Sequence, residues 1–399
     1  MPSTAPAPVL TPAPAAPARP LLGLLLLTAN LRAAITCVAP LLDRVRAAHG
    51  LNGAALSLLT TLPVLCLGLF APLAPALARR YGTEVTVAGA LFVLAAGILL
   101  RSAPSTAALY AGTVLIGAGI ATGNVLVPAI VKHQHPDRIG HRTGLAMTVM
   151  STTAALAAAL AVPLAEATTW QAALALWSVP ALLAATAWAH LARRTPPRPA
   201  PPVDRCPEPL SLPRSPTAWA VGAFLGLVSL MFYVLAAWLP ELMQGYGYSP
   251  AETGLMVSVL MTIGIPLGFL TPVLAGRLRD QRPLVAAVAA ALALGLGGLL
   301  LAPGAGWLWV VVLGLANGGA FPLAITLIGL RSPTPAVAAR LSGLAQTGGY
   351  LLAGLGPLAV GLVHTATGTW TAALLLLLAL VLPEAAAGLL AARPGTLRG

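Results

Sequence analysis

RRTPPRPAPPVDRCPEPLSLPRSP, residues 193–216, is the stretch that decides how this chain is built. It carries nine prolines, five arginines and two acids. Prolines at that density prevent a helix, and charge at that density cannot be held in hydrocarbon, so the stretch cannot cross a membrane. Apolar runs flank it on both sides. Each is close to the roughly 20 residues needed to cross a ~30 Å hydrocarbon core. Six precede it, at 21–42, 54–78, 84–103, 106–131, 143–166 and 170–192. Six follow, at 217–240, 252–275, 284–302, 306–330, 341–363 and 370–391.

Composition leaves no other class. A chain of 399 residues could form two or three soluble domains, but only 8% of its residues are charged, against roughly 25% in soluble proteins. Hydrophobic residues make up 58% and mean hydropathy is +0.88, more apolar surface than a soluble fold could bury. Disorder requires the opposite composition, and a transmembrane barrel would show short alternating segments instead of long runs. The expected fold is an all-α membrane protein with twelve transmembrane helices in two six-helix halves, residues 21–192 and 217–392. Residues 1–20 and 393–399 are expected to be cytoplasmic tails, the first disordered because it is rich in Pro and Ala. The run Leu21–Leu27 is preceded by no basic region and continues as apolar sequence through Leu42, so it reads as an uncleaved first span.

The basic excess, 22 Lys and Arg against 10 Asp and Glu with a pI near 11.0, would suggest nucleic acid in a soluble protein. In a membrane protein it anchors cytoplasmic loops. With both termini on one side, 18 basic residues fall on that side, and Arg44, Arg46 and Arg101 fall on the other. Arg32 is left inside a span. This asymmetry predicts cytoplasmic termini and linker and a plasma or bacterial inner membrane, with no nucleic-acid partner. Cys37, Cys66 and Cys206 stand apart and form neither a disulfide framework nor a metal motif. His133-x-His135 reads as a solvated loop, and no metal or other cofactor is expected.

An internal repeat supports the division in two. At an offset near 200 residues, Trp170-Gln-Ala-Ala-Leu answers Trp370-Thr-Ala-Ala-Leu. Gly123-Asn124-x-x-x-Pro128 answers Asn317-Gly318-x-x-x-Pro322, and Thr143-Gly144-Leu145-Ala146 answers Ser342-Gly343-Leu344-Ala345. Repeated halves place a binding site at their interface, near the midplane.

Along its whole membrane portion the chain resembles the major facilitator superfamily. That superfamily carries Gly-x-Leu-Ala-Asp-Arg-x-Gly-Arg-Arg between spans 2 and 3. Here the segment is Ala71-Pro72-Leu73-Ala74-Pro75-Ala76-Leu77-Ala78-Arg79-Arg80. The basic end is kept, but Pro75 replaces the acid. The second copy, from Leu274-Ala275-Gly276-Arg277, also lacks the acid. The resemblance implies a gating role at this loop for Arg79, Arg80 and Arg277, without the acidic contact. A narrower resemblance is to the cyanate and 2-nitroimidazole transporter branch. It rests on Asn30-Leu31-Arg32, Leu58 to Val64, Ala237-Trp238-Leu239-Pro240, Gly318 to Leu323, and Gln346-Thr347-Gly348-Gly349-Tyr350.

Arg32 is the leading site candidate. It lies 11 positions past Leu21, roughly 16 Å into a ~30 Å core. An Arg at that depth costs about 2.5–3.5 kcal/mol on insertion scales, so it should face a cavity. Its planar fork suits a small anion, a nitro group or a carboxylate. Asn124 and Asn317 face two alternatives, the cavity or helix–helix hydrogen bonding. Spans 1, 4, 7 and 10 line the central cavity in the superfamily that the chain resembles, and Asn30, Tyr233, Trp238, Gln346 and Tyr350 are further candidates. For Trp238 the rival place is an interfacial belt. Glu384 is the sole acid away from the ends of an expected span. No paired carboxylates, HExxH or nucleophile–base pattern occurs, so no enzyme is expected. The sequence thus points to a secondary carrier, expected to be a monomer, that moves a small polar or anionic solute by alternating access, with a proton as the optional coupling ion. A membrane receptor on the same fold, or a drug or metabolite exporter, are the alternatives.

Overall fold

The computed structural model describes residues 19–194 and 212–397. Most of the expected tail 1–20, most of the linker and Cys206 lie outside the described residues. Among those described, helices joined by short turns account for the structure, with no strand. The spans are Leu21–His49, the bent pair Ala55–Phe70 and Leu73–Tyr81, Thr83–Arg101, Thr106–Gln134, Pro136–Ala167, Trp170–Arg194, Pro216–Gly245, Pro250–Arg277, Arg282–Leu301, Pro303–Arg331, Pro335–Thr367 and Trp370–Ala391. They are numbered 1 to 12 below. All twelve expected runs are present, and spans 1, 4, 5, 7, 8, 10 and 11 outrun the expected bounds by several residues. Side-chain caps fix several helix starts. Asn52 Oδ1 accepts from Ala55 N at 2.8 Å, and Ser249 and Glu252 form a capping box ahead of span 8.

Two spans are less regular than expected. Span 2 bends by 51° between Phe70 and Leu73, where Pro72 cannot donate to the helical ladder. Span 1, read above as one helix through Leu42, is in pieces. Its helix Arg19–Asn30 stops, Arg32 adopts φ −131° and ψ −28°, and a short helix Ala33–Thr36 follows before the chain reaches Leu42–His49.

Burial also corrects the charge map. Arg101 was counted with the loop opposite the termini, yet it is 2% exposed and turned inward. Arg331, counted with the loops on the terminus side, is 4% exposed. Its guanidinium donates to the carbonyls of Ala391 (2.9 Å), Ala392 (3.1 Å) and Gly395 (2.9 Å) and to Gln281 Oε1, tying span 10 to the start of span 9 and the end of span 12. Among the described residues, Arg101 and Arg331 are thus buried arginines, while Arg32 is only half-buried.

The two halves meet most closely at the end of the bundle that carries Arg19 and Leu397. There span 5 lies against span 8, backbone to backbone. A Cβ on Gly140 would come within 2.1 Å of Pro272 O, and one on Gly144 within 2.8 Å of Phe269 O. Span 11 meets span 2 at the same end, where a Cβ on Gly343 would lie 3.0 Å from Pro75. One turn beyond this contact the helices part around a cavity.

Candidate transport site

The cavity encloses about 710 Å³ of atom-free space, its open mouth included. Spans 1, 5, 7, 8, 10 and 11 line it, so both halves contribute. Its floor follows from the spacing along span 5. Gly140 and Gly144 pack against span 8, and Met147, Met150 and Ser151 come next and face the space. Met261, also on the cavity wall, is 46% exposed.

Arg32 enters this cavity from the break in span 1. The break has a local cause. Asn30 Nδ2 donates to Leu26 O at 2.8 Å and to Pro180 O at 3.4 Å, so the side chain competes for an acceptor of the helical ladder. The Leu31 N–H turns to Thr28 O at 3.2 Å, a tighter turn. The Arg32 guanidinium then stands 5.9 Å from the centroid of Phe232 and 5.3 Å from that of Phe321. Both rings belong to the other half. They attract the cation without taking its hydrogen bonds. Among the described residues Arg32 makes no ion pair and no side-chain hydrogen bond; the ion pairs found there are Arg44–Glu166 at 3.5 Å and Arg282–Asp280 at 4.0 Å.

Tyr233, Asn317 and Tyr350 join Arg32 on the cavity wall. Asn317 Nδ2 donates to Leu313 O at 2.9 Å, which leaves the side-chain oxygen as its acceptor for a ligand. The other expected residues lie elsewhere. Asn30 is occupied behind the break. Trp238 donates from Nε1 to Pro357 O at 2.8 Å and packs at 5.7 Å from Trp370, joining spans 7, 11 and 12. Gln346 is fully buried and donates from Nε2 to Ser342 Oγ at 2.8 Å and to Asn124 O at 3.2 Å. Gln346 and Asn124 thus form a link between the halves and do not line the cavity. The repeat equates Asn124 with Asn317, but the two have different surroundings. Arg79, Arg80 and Arg277 are exposed at the terminus-bearing end, and Arg80 lies over the ring of Tyr81 at 5.2 Å.

Sequence reasoning missed Phe232, Phe321, Ser151 and Ser229. Ser229 Oγ is buried on the cavity wall without a hydrogen-bond partner. A signal for it existed, since Ser229 stands three and four residues before Phe232 and Tyr233 and so shares their helix face. Phe321 lies inside the segment Gly318 to Leu323, quoted above for a different reason.

Twelve spans in two halves around a central cavity are the architecture of a polytopic membrane protein. The family model described as Major Facilitator Superfamily matches residues 24–357. The chain belongs to that family. An uncharacterized transporter of Bacillus subtilis (strain 168), YycB, is 42% identical over 376 residues, covering 92% of this chain and 91% of that one. The 2-nitroimidazole transporter of Escherichia coli (strain K12) is 39% identical over 384 residues, covering 94% and 96%. The solved structure of the transporter FucP in the outward conformation shares the fold, with TM-score 0.75 at 17% identity over 94% of this chain and 99% of that one.

Proposed function

We propose that this protein is a secondary active carrier of a small polar or anionic solute, cyanate-like or nitroimidazole-like, working by alternating access. The observation that carries the proposal is the Arg32 guanidinium, which stands in an interface cavity with no acid paired to it among the described residues. Burying a lone cation is costly, and an electron-rich ligand recovers part of that cost by accepting its hydrogen bonds. Because the guanidinium comes from one half and Phe232 and Phe321 come from the other, a bound solute would touch both halves. Rocking the halves about that point would expose the solute first to one side and then to the other. The segment Asn30-Leu31-Arg32 and the relative named for 2-nitroimidazole support the choice of solute class. A proton is the coupling ion in this reading. The termini and the linker face the cytoplasm of a bacterial inner membrane, in keeping with the basic residues gathered at that end.

The test is thermal stability of the purified protein against cyanate, nitrate, 2-nitroimidazole and small carboxylates. A ligand of the native state raises the melting temperature in a concentration-dependent way. At least one member of the panel is expected to do so in the unaltered protein and not in Arg32→Ala. Failure of all of them, or equal stabilisation of Arg32→Ala, would overturn the assignment.

A further inference from the structure

Arg101 closes span 3 and turns inward onto the broken part of span 1. Its Nη1 donates to Ala34 O at 2.7 Å, and Nη2 lies 3.8 Å from Cys37 Sγ. Ala34 O is an acceptor that the break leaves over. In a continuous helix it would receive the N–H of Val38, but that N–H goes to Ile35 O at 3.3 Å. The Cys37 thiol also points to Ala34 O, at 3.6 Å. Arg101 therefore supplies a strong donor where the backbone supplies none, two residues from Arg32. It does so as a fully enclosed cation, and among the described residues it makes no ion pair. Its Nε, also buried, has no partner. Simple packing is served better by an apolar side chain, which carries no desolvation cost.

We propose that Arg101 is a positioning residue for Arg32. Its charge-assisted bond holds the short helix Ala33–Thr36 in place, with a second tether from Thr36 Oγ1 to Ala154 O at 2.9 Å. With that segment held, the Arg32 guanidinium is presented to the cavity and does not fold back into the helix line. The proposal rests on the reading of Arg32 as the solute-binding group, but its structural half can be tested without any solute.

Cys37 and Cys66 are both buried and serve as built-in reporters. Cys37 lies beside Arg101, and Cys66 lies at the contact of spans 2 and 4, where a Cβ on Gly117 would meet it at 2.4 Å. In the full chain bearing Cys206→Ser, maleimide labelling of the two thiols is followed by peptide mass spectrometry. Arg101→Met is expected to label Cys37 about tenfold faster while Cys66 keeps its rate, the loss of one bond to a charged donor being of that size. Arg101→Lys keeps a cationic donor and should fall between the two. Unchanged labelling of Cys37, or a parallel rise at Cys66, would overturn the proposal, the second by showing general loosening. If Arg101→Met is not recovered, Arg101→Gln, with a shorter amide donor, is read by the same ratio. The second arm measures binding of cyanate and 2-nitroimidazole by thermal shift. Arg101→Met should weaken the apparent Kd about tenfold, and should have no further effect on top of Arg32→Ala. Wild-type affinity in Arg101→Met would overturn the positioning role. If neither probe stabilises the unaltered protein, the proposed solute class fails, and the labelling arm alone decides the role of Arg101.

Discussion

Arg32 and Glu384 show how differently two ionisable side chains in spans can be placed. Arg32 is half-buried on the cavity wall, whereas Glu384 is 1% exposed in span 12, away from the cavity, with Oε2 unpartnered. Removing Arg32 strands no carboxylate. Arg32→Ala should therefore lose solute binding by about 30- to 100-fold while its melting temperature is kept, since a lone buried charge contributes cost without a pair. Arg32→Lys should be impaired as well, because an ammonium keeps the charge without the two-pronged geometry. Uptake assays beside thermal melts check both; a variant that binds normally, or that simply unfolds, would make the residue structural. Glu384→Gln keeps size and removes the ionisable group. Uptake should survive it with stability equal or higher, and loss of proton-driven uptake at normal expression would instead place coupling at Glu384.

At the scale of elements, the contact between spans 5 and 8 closes one end of the cavity. It depends on Gly140, where any side chain would meet Pro272 O and the backbone of Gly276. Gly140→Leu should destabilise this closed arrangement by about 1–3 kcal/mol through overpacking. Gly89, in span 3, has nothing within 4 Å of an added Cβ, and Gly89→Leu should change stability by no more than about 0.5 kcal/mol. Comparing the two melts checks the contact, and equal shifts would refute it. The spans themselves were legible beforehand, because a length of apolar sequence is enough to define one. The break in span 1 was not. Asn30, Leu31 and Arg32 read as three more residues of a helix until Pro180 and Arg101 are seen to take up polar groups around the break.

For the whole molecule, the charged ends are the basis of the proposed orientation. Arg79, Arg80 and Arg277 stand exposed at the end that carries Arg19 and Leu397, while the Arg44–Glu166 pair lies at the opposite end. Positive charge is retained on the cytoplasmic side during insertion. Reporter fusions after Arg214 and after Arg393 should be active only as cytoplasmic reporters. Periplasmic activity at either point would reverse the topology.

The number and approximate place of the spans, and the resemblance to the family, were legible in the sequence. These depend on local properties, since hydrocarbon forces each crossing segment to be apolar, about 20 residues long and satisfied in its own backbone hydrogen bonds. Tertiary structure alone decided which polar side chains share the cavity. Asn317 and Asn124 occupy matching places in the repeat, yet one faces the cavity and the other's backbone carbonyl meets Gln346. Arg101 looked like a loop charge and is held inside, against Ala34. Which way a side chain points depends on the rotation and tilt of its helix. Neighbouring helices set those by packing, and no stretch of local sequence records them.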